Sequence, residues 1–373
     1  MEKKSIYSTS LIYFVVVCLF VLVRTLNNFG LFSFLGSAGT YIVNGVMQVG
    51  ILFLFSILTY KAMTKKSFKA TFEDFNYKKV SFKVVLIAIG LGVVIYFLNV
   101  FVSSFFYAIL DSVGYESPNA GSSGGAINGW TLVLGLIFTA ILPAICEENL
   151  NRGMLLNGTK GLGMKKCILL NGLMFGLLHL NIEQFFYATL IGFFLGFVVY
   201  VTESIYPCMI IHFMNNGIGV LLSFFTQKGM ISGGIFTQLG KLTVSSPVVG
   251  FLVMFIVLLV LVILLFVLTR MLLRASVEDS FREKQKALQD LFTKFSYFEE
   301  VDKIQNDGAD EETDIEEALL DIDKLKDFLQ EHPDTIVITN KKVKMDFTSK
   351  VFFIASIILA SIVTIFTFIW GVI

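Results

Sequence analysis

The sequence predicts an all-α protein in which about nine helices span a membrane, with a small cytosolic helical segment before the last span. Two observations predict this fold class. Of the 373 residues, 55% are hydrophobic and 16% are charged, whereas soluble domains contain about 45–50% apolar and about 25% charged residues. The uncharged runs are also close to the roughly 20 apolar residues that a membrane-spanning helix needs.

Nine apolar runs separated by polar connections have a suitable length. The first run has no small-residue cleavage site after it, so we expect a retained helix rather than a signal peptide. The predicted spans are 11–23, 41–60, 84–110, 130–146, 165–180, 184–201, 205–225, 248–268 and 351–373.

Basic residues occur in alternate connections, which predicts how the bundle is oriented. Seven lysines lie between positions 61 and 83, and four basic residues follow the fourth span, whereas residues 111–129 contain no Lys or Arg. Because cytoplasmic loops are rich in Lys and Arg, we expect the N-terminus in the cytoplasm and the C-terminus outside. We therefore predict an integral, multi-pass protein, and we expect it in a bacterial cell membrane.

The chain is predicted to have three parts: a helix bundle (1–274), a polar and acidic cytosolic segment (275–349), and a C-terminal transmembrane helix (350–373). Within the acidic segment, Phe281, Leu288, Leu291 and Phe295 have helical spacing with charges between them. The segment is either a small helical domain that docks a protein partner or a solvated linker with amphipathic pieces. Since the net charge is zero, we expect no nucleic acid as a partner. The apolar spans predict contact with membrane lipid.

Three ionisable groups follow an apolar run in the stretch CEENLNRG, residues 146–153. Glu148 and Arg152 are four residues apart, so on a helix they share a face and can form an ion pair. Glu147 points about 100° away and has no local counter-charge. We therefore predict Glu147 as a general base that acts on water, while the Glu148–Arg152 pair has either a functional or a purely structural role.

Two of the three histidines, His179 and His212, lie in apolar runs, and His332 lies in the polar segment. Ionisable groups inside membrane spans are costly and tend to mark function. His212 and Asn216 are four residues apart and share a helix face. These groups form a hydrolytic set, in which Glu147 and His179 could activate water while His212 and Asn216 stabilise an oxyanion.

The stretches EENLNR (147–152), FGLLH (175–179) and HFMNN (212–216) match, in order and spacing, the EExxxR, FxxxH and HxxxN motifs of a known family. Over residues 130–225, about the core that carries these motifs, the sequence resembles the CAAX protease and bacteriocin-processing family, also called the Abi family. The resemblance implies about eight membrane helices around a cavity open to the cytosol. It also implies an intramembrane endopeptidase that acts on a membrane-associated or lipidated peptide.

Carried over residue by residue, the resemblance makes Glu147 the water-activating base, with Glu148 as its motif neighbour. Arg152 would orient the two acids, and His179 would assist with water. His212 and Asn216 would stabilise the oxyanion. All seven defined positions of the three motifs, these six residues and Phe175, are intact in this sequence.

Family descriptions differ over whether a metal is needed, and the sequence leaves room for both. Glu147, His179 and His212 could supply the three ligands usual for catalytic zinc. However, the sequence has no HExxH pair, and a ligating Glu147 would leave the general-base role to another group. We therefore expect no obligatory metal and keep zinc as the alternative.

Two other functions and one geometric difficulty remain. The chain could be a noncatalytic scaffold or immunity protein that binds and regulates a membrane partner, or a transporter, although no internal repeat is visible. The predicted spans place Glu147 near the cytosolic end of one helix and His179 near the outer end of the next. For them to share a water, the helices must kink, as Pro143 would allow, or the boundaries must differ.

Overall fold

The computed structural model describes residues 2–117, 128–231, 241–242, 244–305 and 344–372. These residues form helices and contain no strand. The helices are α1 (Glu2–Asn28), α2 (Gly39–Thr64), α3 (Phe68–Asp74), α4 (Phe82–Ser112), α5 (Gly129–Leu162), α6 (Met164–Leu178), α7 (Ile182–Thr202), α8 (Tyr206–Gln227), α9 (Pro247–Gln305) and α10 (Phe347–Val372).

The predicted fold class is confirmed. In the described part of the chain, eight helices are long and apolar enough to cross a membrane, and each corresponds to a predicted span. The remaining predicted span, 165–180, is the 15-residue helix α6. At about 1.5 Å per residue, α6 is shorter than the roughly 30 Å of a bilayer's hydrocarbon core.

The chain divides into two compact units, one of Met1–Val277 with Val343–Ile373 and one of Glu278–Lys342. The helix predicted over residues 281–295 is confirmed as part of α9. Most of the acidic stretch, including His332, lies outside the described residues. The predicted three-part organisation of the chain therefore stays a prediction.

The span predicted at 130–146 is wrong at its C-terminal end, because α5 continues to Leu162. Glu147 consequently lies near the middle of a 34-residue helix rather than at its end. Glu147 and His179 stand 16 residues before and after Gly163, where the chain turns from α5 into α6. Helices that run in opposite directions from one turn bring such positions to the same depth, which removes the difficulty that the predicted spans raised.

Hydrogen bonds and ion pairs define two ends of the bundle. At what we call the basic end, Ile205 N donates to Asn76 O at 2.9 Å, and Lys160 lies 4.0 Å from Glu203. This end therefore gathers the termini Thr64, Phe82, Leu162, Met164, Thr202 and Tyr206 of the spanning helices and α6.

The opposite end is held together in the same manner. Tyr115 OH donates to Glu183 Oε1 at 3.0 Å, and the backbone N–H of Ile182 donates to Thr367 Oγ1 at 3.2 Å. This end gathers the termini Asn28, Gly39, Ser112, Gly129, Ile182, Gln227 and Val372.

Small residues allow α6 and α7 to pack very closely. A Cβ atom on Gly192 would lie 2.8 Å from Gly172 Cα, and one on Gly176 would lie 2.8 Å from Phe185 O and would overlap Thr189. Membrane helices approach each other where residues are small. The close approach also places α7 next to α5, where the carbonyl of Gly192 accepts a hydrogen bond from Arg152.

We predict that Gly176→Ala destabilises the protein, because the added methyl group would meet backbone and Thr189 atoms that cannot move independently. A lower thermal unfolding midpoint in detergent would show this. The control is Gly50→Ala, where the new Cβ meets only Val46 at an ordinary 3.8 Å. Equal midpoints for the two variants would contradict the close-packing account.

Candidate active site

Three neighbouring elements carry the six residues that the sequence singles out. Helix α5 carries the acidic pair and the arginine, the turn after α6 carries the first histidine, and α8 carries the second histidine and the amide. The residues are Glu147, Glu148, Arg152, His179, His212 and Asn216. Their contacts divide them into a buried charge cluster and a group that borders a cavity.

The buried charge cluster centres on Glu148. Its Oε1 accepts hydrogen bonds from Arg152 Nη1 at 3.0 Å and from His212 Nδ1 at 2.8 Å, and the side chains of Glu148 and Arg152 are fully buried. Arg152 Nη2 also donates to Gly192 O at 3.2 Å, and its guanidinium lies 4.2 Å from the ring centre of Phe175. The predicted ion pair is therefore present, and it also holds α8 through His212.

Glu147 points away from this cluster, as the helical rotation predicts. Its Oε1 accepts a hydrogen bond from Gln48 Nε2 at 2.8 Å. Its Oε2 lies 4.0 Å from His212 Nε2 and has no hydrogen-bond partner among the described residues. Since 4.0 Å is too long for a hydrogen bond, this oxygen remains available to accept a proton.

The ring of His179 is oriented by its own helix. Its Nδ1 lies 2.9 Å from Phe175 O, and because a carbonyl oxygen only accepts, Nδ1 carries the proton and Nε2 keeps its lone pair. The Phe175 ring meets both His179 and His212 edge-on, with centroids 5.1 and 5.8 Å apart. Arg24 Nη1 donates to His179 O at 2.6 Å, which ties the end of α6 to α1.

Asn216 makes a contact that Pro143 explains. In a regular α-helix the N–H of residue 143 would donate to Thr139 O, but proline has no N–H. Asn216 Nδ2 donates to this carbonyl at 3.0 Å, and Asn216 Oδ1 accepts from Asn215 Nδ2 at 2.8 Å. Asn216 therefore has a structural contact with α5 and one further N–H that it can donate.

Two cavities meet at Glu147 and His179. The larger, which we call the main cavity, has a volume of about 810 Å³ and is also bordered by His212 and Asn216. The smaller, the side cavity, has a volume of about 420 Å³ and is bordered by Arg24. A carboxylate and an imidazole that face the same space can act on one water molecule.

Residues 129–218 match the family model described as type II CAAX prenyl endopeptidase Rce1-like. The resemblance to the CAAX protease family is confirmed. The matched region contains all three motifs and covers about a quarter of the chain. No curated protein and no solved structure matches this chain. At the family level the match supports an intramembrane protease, and together with the eight apolar helices it supports an integral membrane protein.

The zinc alternative can be compared with the arrangement of possible ligands. In the part of the chain that the structure describes, no three His, Cys, Asp or Glu side chains come together in a way that could hold a metal ion. The Nδ1 atoms of His179 and His212 are engaged by Phe175 and Glu148. These contacts leave both Nε2 atoms free, and a histidine that binds a metal through Nε2 commonly donates its Nδ1–H to a carbonyl or a carboxylate, so zinc stays an alternative for Glu147, His179 and His212.

Two residues that the sequence motifs do not include, Gln48 and Arg24, contact Glu147 and His179 directly. Each is a polar or charged side chain inside an apolar span, and such residues tend to face the interior of a bundle and mark function. Asn151 is a third such residue: its Nδ2 donates to Glu147 O at 2.8 Å, and its Oδ1 accepts from Tyr13 OH at 3.1 Å. Polarity flags these residues in the sequence, but the contacts of Gln48 with Glu147, of Arg24 with His179 and of Asn151 with Tyr13 join different helices.

We predict that Glu148→Gln lowers the free energy of unfolding by about 3–5 kcal/mol, because it leaves the guanidinium of Arg152 buried without a counter-charge. Denaturant or thermal unfolding in detergent would measure the loss. Combining it with Arg152→Gln should recover part of the stability, and Glu73→Gln, at an exposed position, is the control. A fully stable Glu148→Gln protein would contradict the role of the pair.

We predict that Asn216→Ala costs about 0.5–1.5 kcal/mol of stability through its lost hydrogen bond to Thr139 O. The cost should be smaller in a Pro143→Ala background, because position 143 then has an N–H that can donate to the same carbonyl. A double-mutant cycle of unfolding free energies measures the difference. Equal costs in both backgrounds would show that Pro143 does not account for this contact.

Proposed function

We propose that this chain is an intramembrane endopeptidase in which Glu147 activates the water that hydrolyses a peptide bond. The observation that carries the proposal is the position of Glu147. One carboxylate oxygen is fixed by Gln48, and the other is buried without a hydrogen-bond partner among the described residues at the junction of two cavities. A carboxylate held in this manner is a suitable general base for a bound water.

The reaction follows from these groups without a covalent enzyme intermediate. Glu147 takes a proton from water while the water oxygen forms a bond to the carbonyl carbon of the substrate. His179 Nε2, which keeps its lone pair because Nδ1 donates to Phe175 O, orients the water. When the C–N bond breaks, the leaving nitrogen takes the proton from Glu147, so that the carboxylate is regenerated.

The oxyanion of the tetrahedral intermediate requires donors on the other side of the reacting carbon. His212 Nε2 lies 4.0 Å from Glu147 Oε2. Glu148 accepts a hydrogen bond from Nδ1 of the same ring, so its negative charge balances the positive charge of the imidazolium in which Nε2 also carries a proton. The remaining N–H of Asn216 can donate beside it. In this proposal Glu148 and Arg152 are positioning residues, since both are fully buried.

We predict that Glu147→Gln lowers the rate of peptide cleavage by about 10²–10⁴-fold, because the amide cannot take a proton from water although its shape is nearly the same. The measurement is digestion of a peptide library by purified protein in detergent, followed by mass spectrometry. Unlike Glu148→Gln, this variant should unfold at the temperature of the unaltered protein, since Glu147 belongs to no fully buried ion pair.

Glu73→Gln, far from the cavities in α3, should cleave at the unaltered rate. Equal cleavage by the unaltered chain and Glu147→Gln would rule out Glu147 as the base or reveal a contaminating protease. If the folded protein and both variants leave every peptide intact, the result favours the noncatalytic scaffold.

A further inference from the structure

The two ends of the bundle differ strongly in charge. The connections at the opposite end contain two lysines, Lys228 and Lys241, the helix turns next to it add Arg24, and residues 29–38 and 113–128 contain no Lys or Arg. The basic end and the helix turns next to it carry Lys3, Lys4, Lys61, Lys65, Lys66, Lys69, Lys78, Lys79, Lys83, Lys160, Lys165, Lys166, Arg270 and Arg274. Because Lys and Arg are retained on the cytoplasmic side, the basic end is the cytoplasmic one.

The main cavity reaches the opposite end. It is bordered by Thr131 in the first turn of α5, by Gln184 in the first turn of α7 and by Gln227, the last residue of α8. All three helix termini belong to the opposite end. We call Thr131, Gln184 and Gln227 the rim of the main cavity. Each rim residue lies within two or three residues of a helix terminus at the opposite end, which is about 3–5 Å along a helix axis.

The side cavity has the same position. It is bordered by Asn27 and Asn28 at the end of α1, by Val43 in the second turn of α2 and by Asn181, the residue before α7. Two cavities that meet at Glu147 and His179 thus extend to one end of the bundle.

Toward the basic end the site is closed. Every residue from Asn149 to Leu156 is buried, including Arg152 and Leu156 at 0% exposure. These residues form the first two of about four turns of α5 between Glu147 and the basic end. A peptide that approaches from the basic end would have to displace a fully buried ion pair, whereas from the opposite end it meets an existing cavity.

We propose that the site opens on the extracytoplasmic side of the membrane, so that its substrates are peptide segments presented there, such as exported peptides or the outer ends of membrane proteins. This differs from the cytosolic opening that the family resemblance implies. The side on which the site opens follows from the charge distribution and the cavity geometry. Only the statement that peptides are substrates rests on the proposed function. The rim residues Thr131, Gln184 and Gln227 are polar and uncharged, which suits contacts with a peptide backbone.

Cysteine accessibility tests the sidedness. Gln227→Cys and Trp130→Cys place a thiol at the rim end, and Lys69→Cys and Lys165→Cys place one at the basic end, all at exposed positions. Intact cells that express each variant are treated with a membrane-impermeant maleimide before and after permeabilisation. The unaltered chain gives the background, because three of its four cysteines are buried and Cys18 is partly buried.

We expect the two rim variants to be modified in intact cells and the two basic-end variants only after permeabilisation. Modification of Lys69→Cys or Lys165→Cys in intact cells would overturn the proposal. Two positions at each end keep the test decisive if one variant fails to fold. Labelling needs no catalysis, so adding Glu147→Gln to each variant should leave the pattern unchanged.

Cleavage by oriented vesicles separates this proposal from the proposed function. A mixture of polar, quenched fluorescent peptides is added to right-side-out and to inverted membrane vesicles. We expect cleavage by the right-side-out vesicles directly and by the inverted ones only after detergent. Direct cleavage by inverted vesicles alone would overturn the sidedness but keep the protease. Rim labelling in intact cells without cleavage in any preparation would keep the sidedness but reject the protease.

Discussion

Glu148 is a fully buried carboxylate in the interior of a helix bundle, and the site is organised around the groups that compensate its charge. A buried carboxylate costs several kcal/mol unless it is paired and hydrogen-bonded. Arg152 on the same helix and His212 on α8 both donate to one of its oxygens, and Arg152 also reaches Gly192 O on α7. The same interaction therefore sets the positions of three helices relative to each other.

The chemistry that we propose depends on this arrangement, because pairing divides two adjacent glutamates into different roles. Glu148 is fully buried and engaged by two donors. Glu147, rotated by one helical step, meets Gln48 and the space between the cavities instead. Glu148 orients the imidazole of His212. In the proposed reaction, Glu147 uses its remaining oxygen to accept a proton from water. Two successive residues thus supply the buried pair and the general base that we propose.

Irregular backbone supports the site in the same region. Three stretches of helix are π-helical: Val46–Phe55, Leu136–Ile141 and Asn149–Leu156. This conformation is rare in proteins, and where it occurs it is often close to a functional site. Side-chain amides donate to carbonyls in or near two of these segments. Asn216 and Asn151 donate to the carbonyls of Thr139 and Glu147. Asn216, on α8, therefore links α5 to its surroundings, whereas the hydrogen bond from Asn151 to Glu147 O lies within α5 and Asn151 Oδ1 accepts from Tyr13 OH on α1.

The sequence by itself determined the all-α membrane class, the Glu148–Arg152 pair and the six motif residues, because apolar run length and four-residue spacing are local properties of a helix. It placed the end of the fourth span too early, since the polar stretch 147–157 resembles a helix terminus until its burial is known. Only the tertiary structure decided that Gln48 and Arg24 join the site, that Asn216 compensates for Pro143, and at which end the cavities open. Those features depend on distant helices meeting, and residues from different helices meet according to packing rather than local spacing.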